Sequence, residues 1–149
     1  MQTTTRPAVS VVNAEGLILG RMDTYIAKRL LKGESIVIVN AERAILSGRK
    51  SGKLADAKEF LGVGHPRFGP FHYRRPDRLV RKSVRGMLPF KQPKGKQAYK
   101  RLKVYMGIPN EYKDQELQTI PNAQAAKLTC PYLTVSEFSH ELGWNPGEQ

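Results

Sequence analysis

Four basic residues near the middle of the chain recur at a spacing that suits binding of a polyanion. They lie at positions i, i+3, i+4 and i+7, so an α-helix carries them all on one face: Arg78, Arg81, Lys82 and Arg85. The opposite face of that helix is apolar and contains Val80, Val84, Met87 and Leu88. Pro76 and Asp77 suit the first helical turn, and Pro89 ends the helix. Because like charges on one face repel each other, the pattern suits a polyanionic partner, but this helix taken alone is equally compatible with a solvated surface helix.

The net charge of the protein is concentrated around this helix. The 149-residue chain carries 25 Lys and Arg against 13 Asp and Glu, a formal net charge of +12. Residues 65–105 hold 13 of these cations and a single acid, Asp77, whereas the rest of the chain holds 12 cations and 12 acids and is neutral. A charge that served only solubility would be spread over the whole surface. The concentration therefore predicts a binding footprint for nucleic acid.

A strand–helix–strand pattern at the start of the chain predicts the scaffold that positions these charges. Residues 9–13 and 36–40 are rich in β-branched side chains, and the second run is apolar enough for burial on both faces of a sheet. Between them the segment 21–31 has helical periodicity, shown by Met22, Tyr25, Ile26 and Leu30, and Gly33 ends the helix. The pattern is typical of a βαβ unit with parallel strands.

Shorter signals predict the remaining elements of what is most simply one domain, 1–149, with a loose end at 1–7. Short strands are expected at 44–47, 117–120 and 132–135, and helices at about 51–61, 96–106 and from a Ser136 N-cap to Gly143. The helix 51–61 would have Leu54, Ala57, Lys58 and Leu61 on one face. The helix 96–106 would be a second basic helix, with Lys96, Lys100 and Lys103 on one face and Ala98, Leu102, Tyr105 and Met106 on the other.

The glycines of the chain do not form a nucleotide-binding motif. Gly16 and Gly20 are four residues apart without a third glycine, so the dinucleotide fingerprint is absent. Gly48 and Gly52 are also four apart, and Leu54 stands where a P-loop needs a magnesium-binding hydroxyl. A basic, glycine-flanked turn before a helix nevertheless suits a phosphate of a nucleic-acid backbone.

The remaining reactive side chains show no catalytic or metal-binding pattern. His65, His72 and His140 lack metal-ligand spacing, and no histidine–acid pair stands near Cys130, the only cysteine. We therefore expect no enzyme activity, no metal and no cofactor. A lone cysteine fits a reducing compartment, and the sequence shows no signal-peptide core and no apolar run of membrane-spanning length. These features predict a cytoplasmic protein.

Aromatic residues interleave with the cations of 65–105, which favours RNA as the polyanion. Examples are Arg67-Phe68, Phe71-His72-Tyr73-Arg74-Arg75, Phe90-Lys91 and Tyr99-Lys100-Arg101. Cations neutralise phosphates, while aromatic and guanidinium planes stack on unpaired bases. Because no zinc finger, homeodomain, zipper or RNP-type motif is present, we expect recognition of a structured RNA by its shape.

Two motifs in this region form a signature: Gly86-Met-Leu-Pro and Tyr99-Lys-Arg-Leu-Lys-Val-Tyr-Met-Gly. Further matching stretches lie at 12–14, 20–21, 38–41, 69–76 and 142–144. On these motifs the chain resembles, from about residue 9 to 144, the family of the universal thirteenth protein of the large ribosomal subunit. The stretches 69–76 and 142–144 are similar to its archaeal branch.

The resemblance implies an α/β fold, with three α/β/α layers around a small, mostly parallel sheet, and with 65–105 as a basic loop-and-helix arm. It implies a structural constituent of the large ribosomal subunit that binds large-subunit rRNA, supports subunit assembly and has no catalytic activity. Large-subunit rRNA and neighbouring ribosomal proteins are the implied partners, with no membrane and no small-molecule substrate. The alternatives are an RNA-binding repressor or processing factor acting off the ribosome and, in a third class, an enzyme on a nucleotide-binding scaffold.

The candidate RNA-binding residues are the basic and aromatic side chains of the matching region, together with three cations of the glycine-flanked turn. They are Arg67, Phe71, His72, Tyr73, Arg74, Arg75, Arg78, Arg81, Lys82, Arg85, Lys91, Lys94, Lys96, Lys100, Arg101 and Lys103, with Arg49, Lys50 and Lys53 from the turn.

Overall fold

A computed structural model of the protein describes residues 9–147, so the loose end predicted at 1–7 lies outside the described part of the chain. The strands are β1 Val9–Asn13, β2 Ser35–Val39, β3 Ile45–Ser47, β4 Leu102–Val104, β5 Leu117–Gln118 and β6 Tyr132–Thr134. The helices are α1 Leu19–Leu31, α2 Lys50–Gly62, α3 Pro76–Met87, α4 Pro93–Lys100 and α5 Val135–Glu141. Single 3₁₀ turns occur at Ala41–Arg43, Asn110–Tyr112, Pro121–Ala123 and Ala125–Lys127.

The centre of the fold is a four-stranded parallel sheet in the order β4-β2-β1-β5. β1 precedes α1 in the chain and β2 follows it. The two strands pair in parallel along their whole length, so the predicted βαβ unit is confirmed. β3 and β6 form a separate antiparallel pair, in which Leu46 stands opposite Leu133. The predicted α/β fold with a mostly parallel sheet is therefore confirmed, and the short strands expected near 45, 117 and 132 are present.

The two faces of the sheet are covered by different kinds of structure. Ile36 and Ile38 of β2 lie in the main core, together with residues of α1, α3 and α4. Val37 and Val39 face the other way and pack with Tyr112 of a 3₁₀ turn. All four apolar side chains of β2 are buried, as the apolar run predicted. On the Tyr112 side the layer consists of a single 3₁₀ turn and loop segments.

Helix α1 buries a carboxylic acid in the main core. Met22, Ile26 and Leu30 are buried as predicted, but Tyr25 is exposed and Asp23 is 0% exposed. Burial raises the pKa of Asp23 to about 7, and Ser83 on α3 lowers it only in part. Neither carboxylate oxygen has a hydrogen-bond partner of ordinary geometry among the described residues. Asp23 is therefore held protonated in the folded state at mildly acidic pH.

We expect Asp23→Asn to stabilise the protein at pH 8 and to have little effect at pH 4. Between the unfolded pKa of 3.8 and the folded value near 7, only the folded state keeps the proton, so the stability of the natural protein falls as pH rises through this window. Asparagine cannot ionise, so the variant does not undergo this loss of stability, which amounts to about 4 kcal/mol at most. Urea unfolding at both pH values measures the difference, with exposed Asp114→Asn as the control. A difference that did not change with pH would contradict this assignment.

The predicted second basic helix at 96–106 is wrong in its second half. α4 ends at Lys100, and the following residues form β4, which pairs in parallel with β2. Leu102 and Val104 alternate with Lys103, and pairing against the edge of β2 outweighs the helical tendency of the lysine-rich run. Lys103 stands opposite Val37, so it lies on the Tyr112 side of the sheet. The predicted basic face of Lys96, Lys100 and Lys103 and the predicted apolar face of Ala98, Leu102, Tyr105 and Met106 therefore do not form.

Two smaller helix predictions also need correction. α5 is capped by Thr134, whose hydroxyl oxygen accepts from the Glu137 backbone N–H at 3.2 Å, while the Glu137 carboxylate accepts from the Thr134 N–H at 3.4 Å. The N-cap predicted at Ser136 is thus two residues too late, because a complete capping box outcompetes an isolated serine. α2 is present, but none of its residues is buried, so its predicted apolar face is only partly covered.

Candidate nucleic-acid interface

Helix α3 turns its apolar side into the core and its basic side outward. Val80 and Val84 are fully buried among residues of the main core, and Leu88 closes the end of the helix. Met87, which was predicted on the same apolar face, is 42% exposed instead. Pro76 occupies the first turn as predicted. The four cations of α3, hereafter the basic face, are Arg78, Arg81, Lys82 and Arg85, and they lie on the side opposite the buried valines.

Aromatic rings hold three of the four cations of the basic face. The guanidinium carbon of Arg85 lies 4.1 Å from the ring centroid of Phe90, and that of Arg81 lies 4.6 Å from the centroid of Tyr99. The Lys82 ammonium lies 4.8 Å from the centroid of Phe60 on α2. Each ring restrains a side chain that would otherwise be mobile, and because the rings carry no net charge, the cations keep their full charge for a phosphate.

The rings also contact other aromatic side chains. Phe90 and Tyr99 meet edge to face with centroids 5.4 Å apart, and Phe60 contacts His72 with centroids 4.3 Å apart. Phe60 belongs to α2, Tyr99 belongs to α4 and Phe90 follows α3. The basic face is thus fixed by three separate parts of the chain, which restricts its geometry before any partner binds.

The acids of the protein do not neutralise this face. Within residues 9–147, none of its four cations forms a salt bridge. Asp77, the one acid of 65–105, pairs with Arg75 at 3.2 Å instead. Unpaired cations packed on neutral rings are suited to accept phosphate oxygens, since no internal ion pair has to be broken.

The structure distributes the other predicted cations unequally. Lys91, Lys94, Lys96 and Lys100 are exposed before and along α4. Arg101 is engaged inside the protein, because its Nη2 donates to the Leu30 carbonyl oxygen at the end of α1 at 2.9 Å. At the start of α2, Lys50 pairs with Glu141 at 3.2 Å, whereas Arg49 and Lys53 form no salt bridge within residues 9–147 and are exposed. Lys103 lies away from the basic face, on the Tyr112 side of the sheet.

The other predicted residues lie in a loop of residues 63–75, hereafter the aromatic loop, which reaches the surroundings of the basic face through His72. His72 connects it to Phe60 and hence to the ring under Lys82. Tyr73 is partly exposed, and Phe71 is 77% exposed. Arg67 and Arg75 are exposed in the loop, and Arg74 extends beside Gly143 after α5.

The candidate RNA-binding residues predicted from the sequence do not include four aromatic residues of this surface: Phe60, Phe68, Phe90 and Tyr99. The last three were noted only as aromatic neighbours of the predicted cations, and Phe60 was not noted. Three of them carry the cations of α3, and Phe68 is the most exposed large apolar side chain among the described residues. Phe68, Phe90 and Tyr99 adjoin predicted cations in the sequence, and this adjacency was the available signal. No local pattern links Phe60 to Lys82, because they are distant in sequence and meet only in the folded chain.

Two further findings concern metal ions and membranes. In the described range 9–147, no group of three or more His, Cys, Asp or Glu side chains is placed to hold a metal ion. No helix in the same range combines the length and the apolar character required to cross a membrane.

Known proteins match this chain over most of its length. The family model described as ribosomal protein L13 matches residues 8–111. The large ribosomal subunit protein uL13 of Methanococcoides burtonii is 45% identical over 136 residues, which are 91% of this chain and 98% of that protein. The proteins of the same name from Archaeoglobus fulgidus and Methanopyrus kandleri are 44% and 41% identical, covering 91% and 94% of this chain and 88% and 91% of their own lengths. The resemblance seen in the sequence is confirmed, and the chain belongs to the ribosomal protein L13 family.

Proposed function

We propose that the protein is a structural component of the large ribosomal subunit and binds large-subunit rRNA through the basic face and the aromatic loop. The observation that carries the proposal is the set of four α3 cations, which form no salt bridge within residues 9–147 and three of which rest on neutral rings. Such a surface offers fixed positive charge to a phosphate backbone. Membership of a family whose archaeal relatives are named large-subunit proteins supports rRNA as the nucleic acid.

Within this proposal the predicted residues have different roles. Arg78, Lys82 and Arg85 are exposed and neutralise phosphates directly, as do the lysines of α4 and the loop before it. Arg81 is half buried on Tyr99, and Arg101 is tied to α1, so both mainly hold the surface in place. Arg49 and Lys53 extend the contact surface at the N-terminus of α2. Lys103 would meet a separate part of the rRNA or a neighbouring ribosomal protein, since it faces the other side of the sheet.

We also propose that the chain acts as one domain in which 65–105 is the rRNA-binding segment. The segment is joined to the scaffold through the buried valines of α3, through Ala98 of α4 and through β4. It binds in the cytoplasmic particle, supports assembly of the subunit, contacts neighbouring ribosomal proteins and performs no catalysis on small molecules.

Binding to large-subunit rRNA is expected to weaken steeply with salt. If roughly eight phosphates are contacted, the logarithm of the association constant falls against the logarithm of salt concentration with a slope of about −6 to −7. Filter binding or fluorescence titration with in vitro transcribed rRNA between low and physiological salt measures the slope. A flat dependence would refute phosphate binding by this surface.

Sucrose-gradient fractionation of cell extract distinguishes the ribosomal role from an off-ribosome repressor or processing factor. The proposal requires the protein in the large-subunit fractions at about one copy per particle. Its presence mainly in light fractions would instead favour the off-ribosome role, even with a steep salt dependence.

A further inference from the structure

We infer that Phe68, at the tip of the aromatic loop, stacks on an unpaired base of the rRNA. The inference rests on the proposed function and adds a second mode of contact to it. The basic face neutralises phosphates, whereas this tip would recognise a base that is not engaged in a helix.

Exposed apolar side chains concentrate around the aromatic loop. Nine large apolar side chains are exposed in the described range, and five of them lie at 60–73. Phe68 is 86% exposed and Phe71 is 77% exposed, so both rings present nearly their whole surface to solvent. A local concentration of exposed apolar surface marks a site of interaction, since isolated exposed residues would be scattered over the protein.

The tip that carries Phe68 consists of residues 65–69, and hydrogen bonds between its backbone groups hold its two ends together. The His65 N–H donates to the Gly69 carbonyl at 3.0 Å, and the Gly69 N–H donates to the His65 carbonyl at 2.8 Å. The Arg67 N–H donates to Nδ1 of His65 at 3.2 Å, and the His65 ring lies 5.2 Å from the Phe68 ring. These contacts hold the phenyl ring in a fixed outward position without burying it.

The glycine at position 64 makes this tip possible. Its φ is +111°, and a Cβ there would lie 2.8 Å from the Gly69 carbonyl oxygen and would also overlap Pro70. The two sides of the tip therefore approach each other more closely than any side chain at Gly64 would allow. Such a tight tip presents one ring at a narrow apex, a shape that fits between or against bases better than against a flat protein surface.

The charge around the tip favours RNA over a protein partner. Residues 60–75 contain no Asp or Glu, while Arg67, Arg74 and Arg75 lie in the same stretch. Arg67 directly precedes Phe68, so a phosphate contact and a stacking ring are adjacent. Single-stranded nucleic-acid sites combine these two features, and a basic stretch without acids complements the charge of a polyanion.

The inference is tested with Phe68→Ala and Phe68→Tyr binding to protein-free large-subunit rRNA transcribed in vitro. We expect Phe68→Ala to weaken binding about tenfold, the loss of one stacked base, and Phe68→Tyr to bind like the natural protein. The slope against salt should be the same for all three proteins, because no phosphate contact is removed. Tyr132→Ala removes another exposed ring, on β6 and outside the loop, and should not change affinity. Thermal unfolding should be unchanged by Phe68→Ala, since the ring is exposed.

The outcomes separate this inference from the proposed function. Failure of the natural protein to bind rRNA would remove the proposed function itself. Salt-dependent binding that is equally tight for the natural protein and Phe68→Ala would overturn the stacking contact and leave the proposed function intact. If Phe68→Ala bound free rRNA normally but entered large-subunit particles poorly, the partner of the tip would be a neighbouring ribosomal protein, and the inference would again be wrong.

Discussion

Changing Arg78, Lys82 and Arg85 together to glutamate is expected to reduce affinity for large-subunit rRNA by about a thousandfold or more. Each exposed cation can make a charge-assisted hydrogen bond to a phosphate, worth about 1.5–3 kcal/mol. The reversed charges would also repel the backbone. The slope of binding against salt should become shallower by about 3, one unit for each lost phosphate contact. Titration at several salt concentrations measures both effects.

The same variant should remain folded. The three side chains are exposed, and within the described residues none of them forms a salt bridge. Two cation–ring contacts are lost, at Lys82 and Arg85, and each is worth about 0.5–1 kcal/mol at an exposed site. We therefore expect unfolding at only slightly lower denaturant concentration. Arg81 is left unchanged because it is half buried on Tyr99, where a carboxylate would disturb packing.

A matched control changes the net charge by the same amount elsewhere. Lys58, Lys113 and Lys127 are exposed cations outside 65–105, and changing all three to glutamate should weaken rRNA binding far less. An equal loss in the control would mean that overall charge governs binding and that the basic face has no special position.

Gly95→Ala is expected to destabilise the protein by about 2–3 kcal/mol, although alanine normally favours a helix over glycine. Gly95 is buried in α4, and a Cβ there would overlap the carbonyl group of Pro89 and crowd the Phe90 N–H at 3.0 Å. Both are backbone atoms, so neither can move aside without shifting the chain that leads into α4. Urea unfolding of the variant measures the loss.

The control is the same substitution in the neighbouring helix. A Cβ at Gly86 of α3 would have no heavy atom within 4 Å, so Gly86→Ala should stabilise the protein by about 0.5–1 kcal/mol. Opposite signs for two Gly→Ala changes would establish that the close approach at Gly95 is the cause. Destabilisation by both, or by neither, would contradict the rigid packing of α4 against the segment after α3.

Gly95 also connects stability to the interface. The close approach places Phe90 and Tyr99 edge to face, and these rings lie under Arg85 and Arg81. A shift of the Pro89 backbone would therefore move the ring pair and misplace two of the four cations. Weaker rRNA binding by Gly95→Ala, measured where the variant is still folded, would follow from this displacement.

The parts of the fold that were predictable are those whose signal is local in sequence. The βαβ unit follows from two β-branched runs with a periodic helix between them, and the basic side of α3 follows from cations at helical spacing. β4 was not predicted because the residues from Lys100 to Lys103 have a pattern typical of a helix. Only their pairing with β2 makes this segment a strand. That pairing joins residues more than sixty positions apart, so no window of sequence contains it.

The interface was predictable as a set of charges but not as an arrangement. Composition alone located the cations in 65–105, yet it could not distinguish Arg78, which is exposed, from Arg101, which donates to Leu30. The contact between the Lys82 ammonium and the Phe60 ring depends on where the fold places α2. The burial of Asp23 was likewise invisible, because a charged residue at a core position contradicts the helical pattern around it.

The strand order of the sheet has a consequence for synthesis of the chain. β1 and β2 are made first and occupy the centre, while β4 and β5 are made later and occupy the two edges. Each new strand adds to a free edge of strands that have already left the ribosome, and none has to be inserted between two paired neighbours. The sheet of this protein can therefore grow outward in the order of translation, and the rRNA-binding segment can dock onto a core that already exists.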